Sequence, residues 1–173
     1  AVHWVAQIFQ GYTGDWGDFD RGAVQIPELV QRIARRTGLA AADVQTVVDG
    51  VTRELQPIPE SVALLRELHA AGHELYFLSN MPAPYADHLQ ASNDFMSCFI
   101  DGVFSGRVGH NKPEKAIFEV AAKRFGAASP QDLLFLDDHL PNVQAAQGLG
   151  WQALQFTHAA QARALLHERA LVG

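Results

Sequence analysis

Leu133-Leu134-Phe135-Leu136 run directly into Asp137-Asp138. Four consecutive apolar residues leave no side for water, so as a strand they need cover on both faces, as in a parallel sheet sandwiched between helices. In open sheets of that kind ligands gather at the carboxyl ends of the strands, which is where the two acids fall. Adjacent carboxylates repel, and burial beside an apolar strand raises the cost of keeping both ionised. A hard cation offsets that repulsion. Magnesium uses one or two protein carboxylates and completes its shell with water and phosphate oxygens, which suits a small acidic site. The plainer alternative is an Asp pair capping a helix that opens at Pro141, with Asp138 accepting backbone N–H groups.

From Pro57-Ile58-Pro59 onward, helical and strand patterns alternate. The spacing predicts helices over 60–70, 84–90, 113–124, 141–148 and 159–168. It predicts strands from Glu74 to Leu78, Leu133 to Leu136 and Trp151 to Phe156, with Cys98 to Phe104 as a further strand or edge segment. Such alternation implies one parallel sheet built from right-handed crossovers, an α/β fold in three layers. Ahead of Pro57 the pattern is helical alone. A helix from Val2 to Gln10 leads into a Gly- and Asp-rich loop, Gly11 to Gly22, and then into helices over 26–37 and 41–55. The expected organisation is a small helical domain over 1–56 and an α/β core over 57–173.

With 173 residues the chain supports one substantial core plus a small module. A net charge of -6 offers no electrostatic footprint for nucleic acid, and Arg32, Arg35 and Arg36 read as a solvated helix face. No apolar run approaches the ~20 residues of a bilayer span, and the start lacks a signal-peptide pattern, so no membrane partner is expected. The single cysteine, Cys98, excludes an intrachain disulfide and a Cys-based zinc site, fits the reducing cytoplasm, and reads as inert core. Monomer and homodimer both stay open.

Three polar groups, Ser79-Asn80, Asn111-Lys112 and Asp137-Asp138, lie shortly before prolines that can open helices: Pro82, Pro113 and Pro141. Helix N-termini favour anions, so three such loops suggest a phosphate or carboxylate pocket. Lys112 offers a compact charge for a phosphate. Ser79 and Asn80 offer hydroxyl, amide and backbone donors to a transferring phosphoryl group, for which positioning and electrostatics supply most of the catalysis. Taken singly, Ser-Asn is a turn signature and Lys112 a surface lysine. Trp4, Tyr12, Trp16, Asp18 and Arg21 either select substrate or simply pack, and His139 adjoins the acid pair as a helix-start residue.

Taken together, strand-Ser79-Asn80, then Lys112-Pro113 running to Ile117-Phe118, then strand-Asp137-Asp138 with Asn142 beyond it resembles the haloacid dehalogenase-like hydrolase superfamily. Order and spacing match its second, third and fourth motifs over residues 57–173, and Asp20-Arg21-Gly22 followed by helices resembles the helical cap of its phosphatase branch. The resemblance implies a three-layer α/β/α Rossmann-like core with a small helical cap. It implies that Ser79, Asn80 and Lys112 bind the phosphoryl group, that Lys112 stabilises charge, and that Asp137 and Asp138 hold Mg2+. The implied reaction is hydrolysis of a small phosphorylated metabolite, a sugar phosphate being one candidate, through an aspartyl-phosphate. Metal-free 2-haloacid dehalogenation is a rival reading, which the paired acids disfavour. A non-catalytic phosphate-binding or regulatory protein is another.

The chain departs from the resemblance in its first motif, an apolar strand ending in the nucleophilic Asp. Asp15, Asp18 and Asp20 follow Gly-rich sequence and are not promoted to that role. In the family that strand sits at the centre of the sheet beside the one carrying Asp137. Its loss should split the core, exposing several Val/Ile/Leu-sized side chains at about 1.5 to 3 kcal/mol each. The expectation is that roughly 10 to 20 further N-terminal residues, or a strand from a partner chain, supply it.

Overall fold

Apolar spacing builds the first helices, and prolines and glycines stop them. The structure, a computed structural model, describes residues 2–10 and 14–172. One compact unit gathers residues 1–56 with 79–92 and 104–112. Its elements are α1 (Val2–Phe9), α2 (Asp15–Asp20), α3 (Ile26–Thr37), α4 (Ala41–Glu54), α6 (Ala83–Ser92) and the single turn α7 (Ser105–Val108). Pro27 opens α3, and Gly38 closes it at φ 74°, a left-handed cap natural to glycine. Leu29 and Ile33 of α3 meet Val44 and Val48 of α4, Phe19 of α2 and Tyr85 of α6 in one core.

Two expectations change here. The Gly11 to Gly22 loop contains helix α2: Asp15 and Asp18 sit in its first turn, where a helix N-terminus favours acids, and Trp16 and Phe19 bury one face three residues apart. Tyr12 lies outside the described residues. The arginine cluster is more than a solvated face. Arg32 bonds Glu28 at 2.6 Å and Asp18 at 3.1 Å, and Arg36 bonds Asp15 at 2.8 Å, stitching α3 to α2.

The second unit comprises residues 57–78, 93–103 and 113–173. It contains α5 (Pro59–Ala70), β1 (Tyr76–Ser79), β2 (Asp101–Phe104), α8 (Lys115–Arg124), β3 (Leu134–Asp137), α9 (Leu140–Gly148), β4 (Gln152–Gln155) and α10 (Ala159–His167). The terminal residues of β1 and β2, Ser79 and Phe104, group with the first unit. The segment expected from Cys98 to Phe104 resolves into the end of a 3-10 turn, Asp94–Cys98, and β2. Cys98 is buried, as an inert core residue should be.

The chain is α/β as expected, but the single sheet is two pairs: β1 with β2, and β3 parallel to β4 with Leu134 opposite Gln152 and Asp137 opposite Gln155. The physical reason is that β1 and β3 do not pair. A cavity of about 850 Å³ lies against both, lined by Leu75–Leu78 on one side and Leu133–Leu136 on the other. Leu75, Tyr76, Phe77 and Leu78 are consequently only half-buried. On one flank of the cavity Phe118, Phe135 and Trp151 meet edge to face at 5.5–6.0 Å, a geometry aromatic quadrupoles favour. Among the described residues no helix is long and apolar enough to cross a membrane.

Candidate active site

Ser79 ends β1, and the chain then turns toward α6. Its hydroxyl has no hydrogen-bond partner among the described residues, which leaves it available to an incoming acceptor. Asn80 engages Lys112 from both ends of its amide. Its Nδ2 donates to the Lys112 carbonyl at 2.9 Å, and its Oδ1 accepts the Lys112 N–H at 2.7 Å. One amide side chain thus satisfies both backbone groups of Lys112, as a neighbouring strand would. Lys112 itself is 8% exposed. Asn111 is wholly buried, and its Nδ2 donates to the Gly17 carbonyl on α2 at 2.8 Å, fixing the same loop from its other side.

The segment after Asn80 is held just as closely. Ser105 Oγ accepts the Met81 N–H at 2.8 Å and donates to the Asp20 carbonyl at 2.6 Å, while the Gly106 N–H donates to the Met81 carbonyl at 3.1 Å. A Cβ on Gly106 would come within 2.6 Å of the Ala83 nitrogen, so only glycine permits this approach of two backbones. Sequence reasoning missed Ser105. A lone serine after a short strand carries no signal of its own, and its importance comes from two partners far away in the chain. Beside this segment, burial pushes the Asp20 carboxyl up to about 7, against the opposing pull of a Trp16 hydrogen bond and the Arg21 charge.

In the second unit, Asp137 ends β3 and is 8% exposed. Its Oδ1 accepts the His139 N–H at 2.9 Å and Asn142 Nδ2 at 2.9 Å. Asn142, nearly buried on α9, is the second partner that holds this carboxylate in place. Asp137, not Asp138, accepts a backbone N–H ahead of α9, that of His139, and no side chain caps the helix itself. Asp138 is exposed, and its carbonyl accepts Gln155 Nε2 at 3.0 Å, which ties the turn to the end of β4. His139 is an exposed residue at the start of α9. Among the described residues no group of three or more His, Cys, Asp or Glu converges as a metal cluster, so the acid pair stands as a two-carboxylate arrangement. The structure thus joins Asn80 to Lys112 in one unit and Asp137 to Asn142 in the other.

Residues 4–150 match the family described as haloacid dehalogenase-like hydrolase. The chain belongs to that family. Sesquiterpene phosphatase astK of Aspergillus oryzae is 30% identical over 143 residues, covering 82% of this chain and 72% of that protein. Phosphoglycolate phosphatase of Salmonella paratyphi A is 29% identical over 100 residues, covering 58% of this chain and 39% of its own length. A solved HAD family enzyme of Bacteroides thetaiotaomicron, in complex with magnesium and inorganic phosphate, aligns over 90% of this chain and 80% of its own with a TM-score of 0.69. At 21% identity that likeness shows the HAD fold. This HAD-like chain is thus a hydrolase by family, and both relatives named here are phosphatases.

Proposed function

We propose that this HAD-like chain is a magnesium-dependent phosphomonoester hydrolase acting on small phosphorylated metabolites through an aspartyl-phosphate intermediate. One observation carries the reading: a nearly buried lysine is fixed by the two-way hydrogen bond between its backbone and Asn80. A nearly buried cation on a fixed backbone suits phosphoryl transfer, where positioning and preset charge do most of the work. The Ser79 hydroxyl and the ammonium of Lys112 take the phosphoryl oxygens. Asn80 positions the lysine through one N–H and the oxygen of its amide, and the second amide N–H and the backbone remain for the phosphoryl group. Residues 1–56 act as the cap.

Asp137 and Asp138 fit magnesium by the chemistry of their donors: hard oxygens, one carboxylate held by Asn142 and the other exposed. Bound there, the ion would withdraw charge from phosphate oxygens. The attacking carboxylate belongs, by family resemblance, to a strand beside β3. Asp15, Asp18 and Asp20 all lie on α2, and the first two are in ion pairs with Arg36 and Arg32. The phosphatase names of two relatives and the magnesium and phosphate of the Bacteroides enzyme support the reading. A sugar phosphate or a sesquiterpenyl phosphate is a candidate substrate, the second on the strength of astK.

Two measurements test this reading: vanadate binding, and magnesium-dependent hydrolysis of an aryl phosphate. Lys112→Ala should lose vanadate affinity, and Asp138→Asn should abolish hydrolysis while leaving the fold intact. Vanadate binding that ignores Lys112, or hydrolysis that survives chelation, would refute the roles. Lysine-dependent vanadate binding without turnover would instead favour a phosphate-binding regulatory protein.

A further inference from the structure

Gln155 ends β4 opposite Asp137, the last residue of β3, and the Phe156 N–H that follows donates to the Asp137 carbonyl at 3.0 Å. The Gln155 side chain is exposed, yet its Nε2 reaches back and donates to the Asp138 carbonyl at 3.0 Å. That carbonyl shares a peptide unit with the His139 N–H, which donates to Asp137 Oδ1 at 2.9 Å. A trans peptide is planar, so its C=O and N–H point in opposite directions and turn together. Whatever fixes the oxygen therefore fixes the aim of the N–H. Gln155 holds one side of this unit and Asp137 the other. Gln155 is itself held: Gln161, in the first turn of α10, donates from Nε2 to the Gln155 carbonyl at 3.1 Å, and the Gln161 N–H donates to Nδ1 of His158, the N-cap of that helix, at 3.1 Å. A chain of hydrogen bonds thus runs from the start of α10 through the end of β4 to the acid pair, all within one compact unit.

We propose that Gln155 is a positioning residue for the acid pair: its amide locks the Asp138–His139 peptide, so that Asp137 keeps its backbone donor and Asp138 is carried on a backbone of fixed orientation. The proposal rests on reading Asp137 and Asp138 as the magnesium pair. Fold stability does not account for the bond. An exposed amide that exchanges water for a carbonyl gains little, and pinning a glutamine gives up side-chain freedom. Its effect is local. Asn142 holds Asp137 Oδ1 through a side chain, and Gln155 holds it through the His139 N–H, so the two donors on that oxygen have separate supports on α9 and β4. A cation that demands a near-ideal octahedral shell gains from oxygens already in place, and groups standing behind metal ligands commonly change metal affinity by about 10- to 100-fold.

Gln155→Met tests the proposal without turnover, because methionine keeps the length of the side chain, adds no charge and removes the donor. Gln152→Met is the matched control: Gln152 Nε2 donates to the Gln131 carbonyl at 2.8 Å, an exposed bond of the same kind at the opposite end of β4. In Gln155→Met, magnesium affinity read by calorimetry should fall about tenfold or more, and the His139 amide should exchange with solvent about tenfold faster. Its urea midpoint, and its vanadate affinity measured without metal, should stay those of wild type. Gln152→Met should leave both magnesium affinity and His139 exchange unchanged. Unchanged magnesium affinity in Gln155→Met, a fall in affinity without faster His139 exchange, or equal losses in the two variants would overturn the proposal and leave the magnesium reading standing. Wild-type protein that binds no magnesium would overturn the magnesium reading, and this proposal with it.

Discussion

Replacing Asn80 with leucine removes the clamp on Lys112 while roughly keeping its volume. Two hydrogen bonds, at 2.9 and 2.7 Å, are lost together, and the Lys112 N–H and C=O keep no partner from that side chain. Each stranded backbone group costs about 1 to 3 kcal/mol, so Asn80→Leu should lose about 2 to 6 kcal/mol. That is a large share of the roughly 5 to 15 kcal/mol that holds an ordinary domain together. Asn80→Asp makes the sharper comparison. Its carboxylate still accepts the Lys112 N–H but cannot donate to the carbonyl, so one bond survives and one contact turns repulsive. Urea unfolding followed by circular dichroism should rank wild type, then Asp, then Leu, with midpoints falling at constant slope. Vanadate affinity of folded protein should drop about tenfold or more in both variants, because the lysine is no longer held. A loss below about 1 kcal/mol in Asn80→Leu would show that the clamp does not order the loop.

Other consequences follow from neighbouring residues. Ser105→Ala strands the Met81 N–H and the Asp20 carbonyl, so thermal or urea unfolding should register a loss of about 2 to 6 kcal/mol, whereas Ser105→Thr, which keeps the hydroxyl, should recover part of it. Asp20 supplies a pH signature. Its folded value of about 7 lies above the ordinary 3.8, so the native state holds the proton longer than the unfolded state does. The group's contribution is complete below about pH 4, is lost as pH rises to about 7, and is flat above that. At about 1.4 kcal/mol per pH unit, the rise from 3.8 to about 7 amounts to about 4 kcal/mol at most. Asp20→Asn should flatten that fall and be most stabilising near pH 8; an unchanged pH slope in urea titrations would refute the burial argument. Asn142→Ala frees Asp137 Oδ1 from its side-chain partner and should weaken magnesium binding, read by calorimetry, more than it weakens vanadate binding measured without metal.

Much of the architecture was legible because local chemistry announced it. The apolar run into Asp137-Asp138, the prolines ahead of helices and the alternation after Pro57 all rest on periods and backbone constraints within a few residues of one another. α2 was hidden because glycines and aspartates suggest a loop, while the burial of Trp16 and Phe19 that stabilises a helix there depends on distant partners such as Tyr85. The arginine cluster is solvated as expected, but its ion pairs were hidden for the same reason, since Asp15 and Asp18 reach it only across two helices.

The sequence by itself determined the residue types of the candidate site and their order, because phosphate- and metal-seeking chemistry needs Ser, Lys and paired Asp whatever surrounds them. It also determined the α/β class, since apolar periodicity is a local property. Tertiary structure alone decided that Asn80 spends its amide on Lys112, that Ser105 ties Met81 to Asp20, and that Asn142 holds Asp137. It also decided that β1 and β3 face a cavity instead of each other. Hydrogen-bond partners and strand neighbours are chosen among groups far apart in the chain, so no local pattern names them.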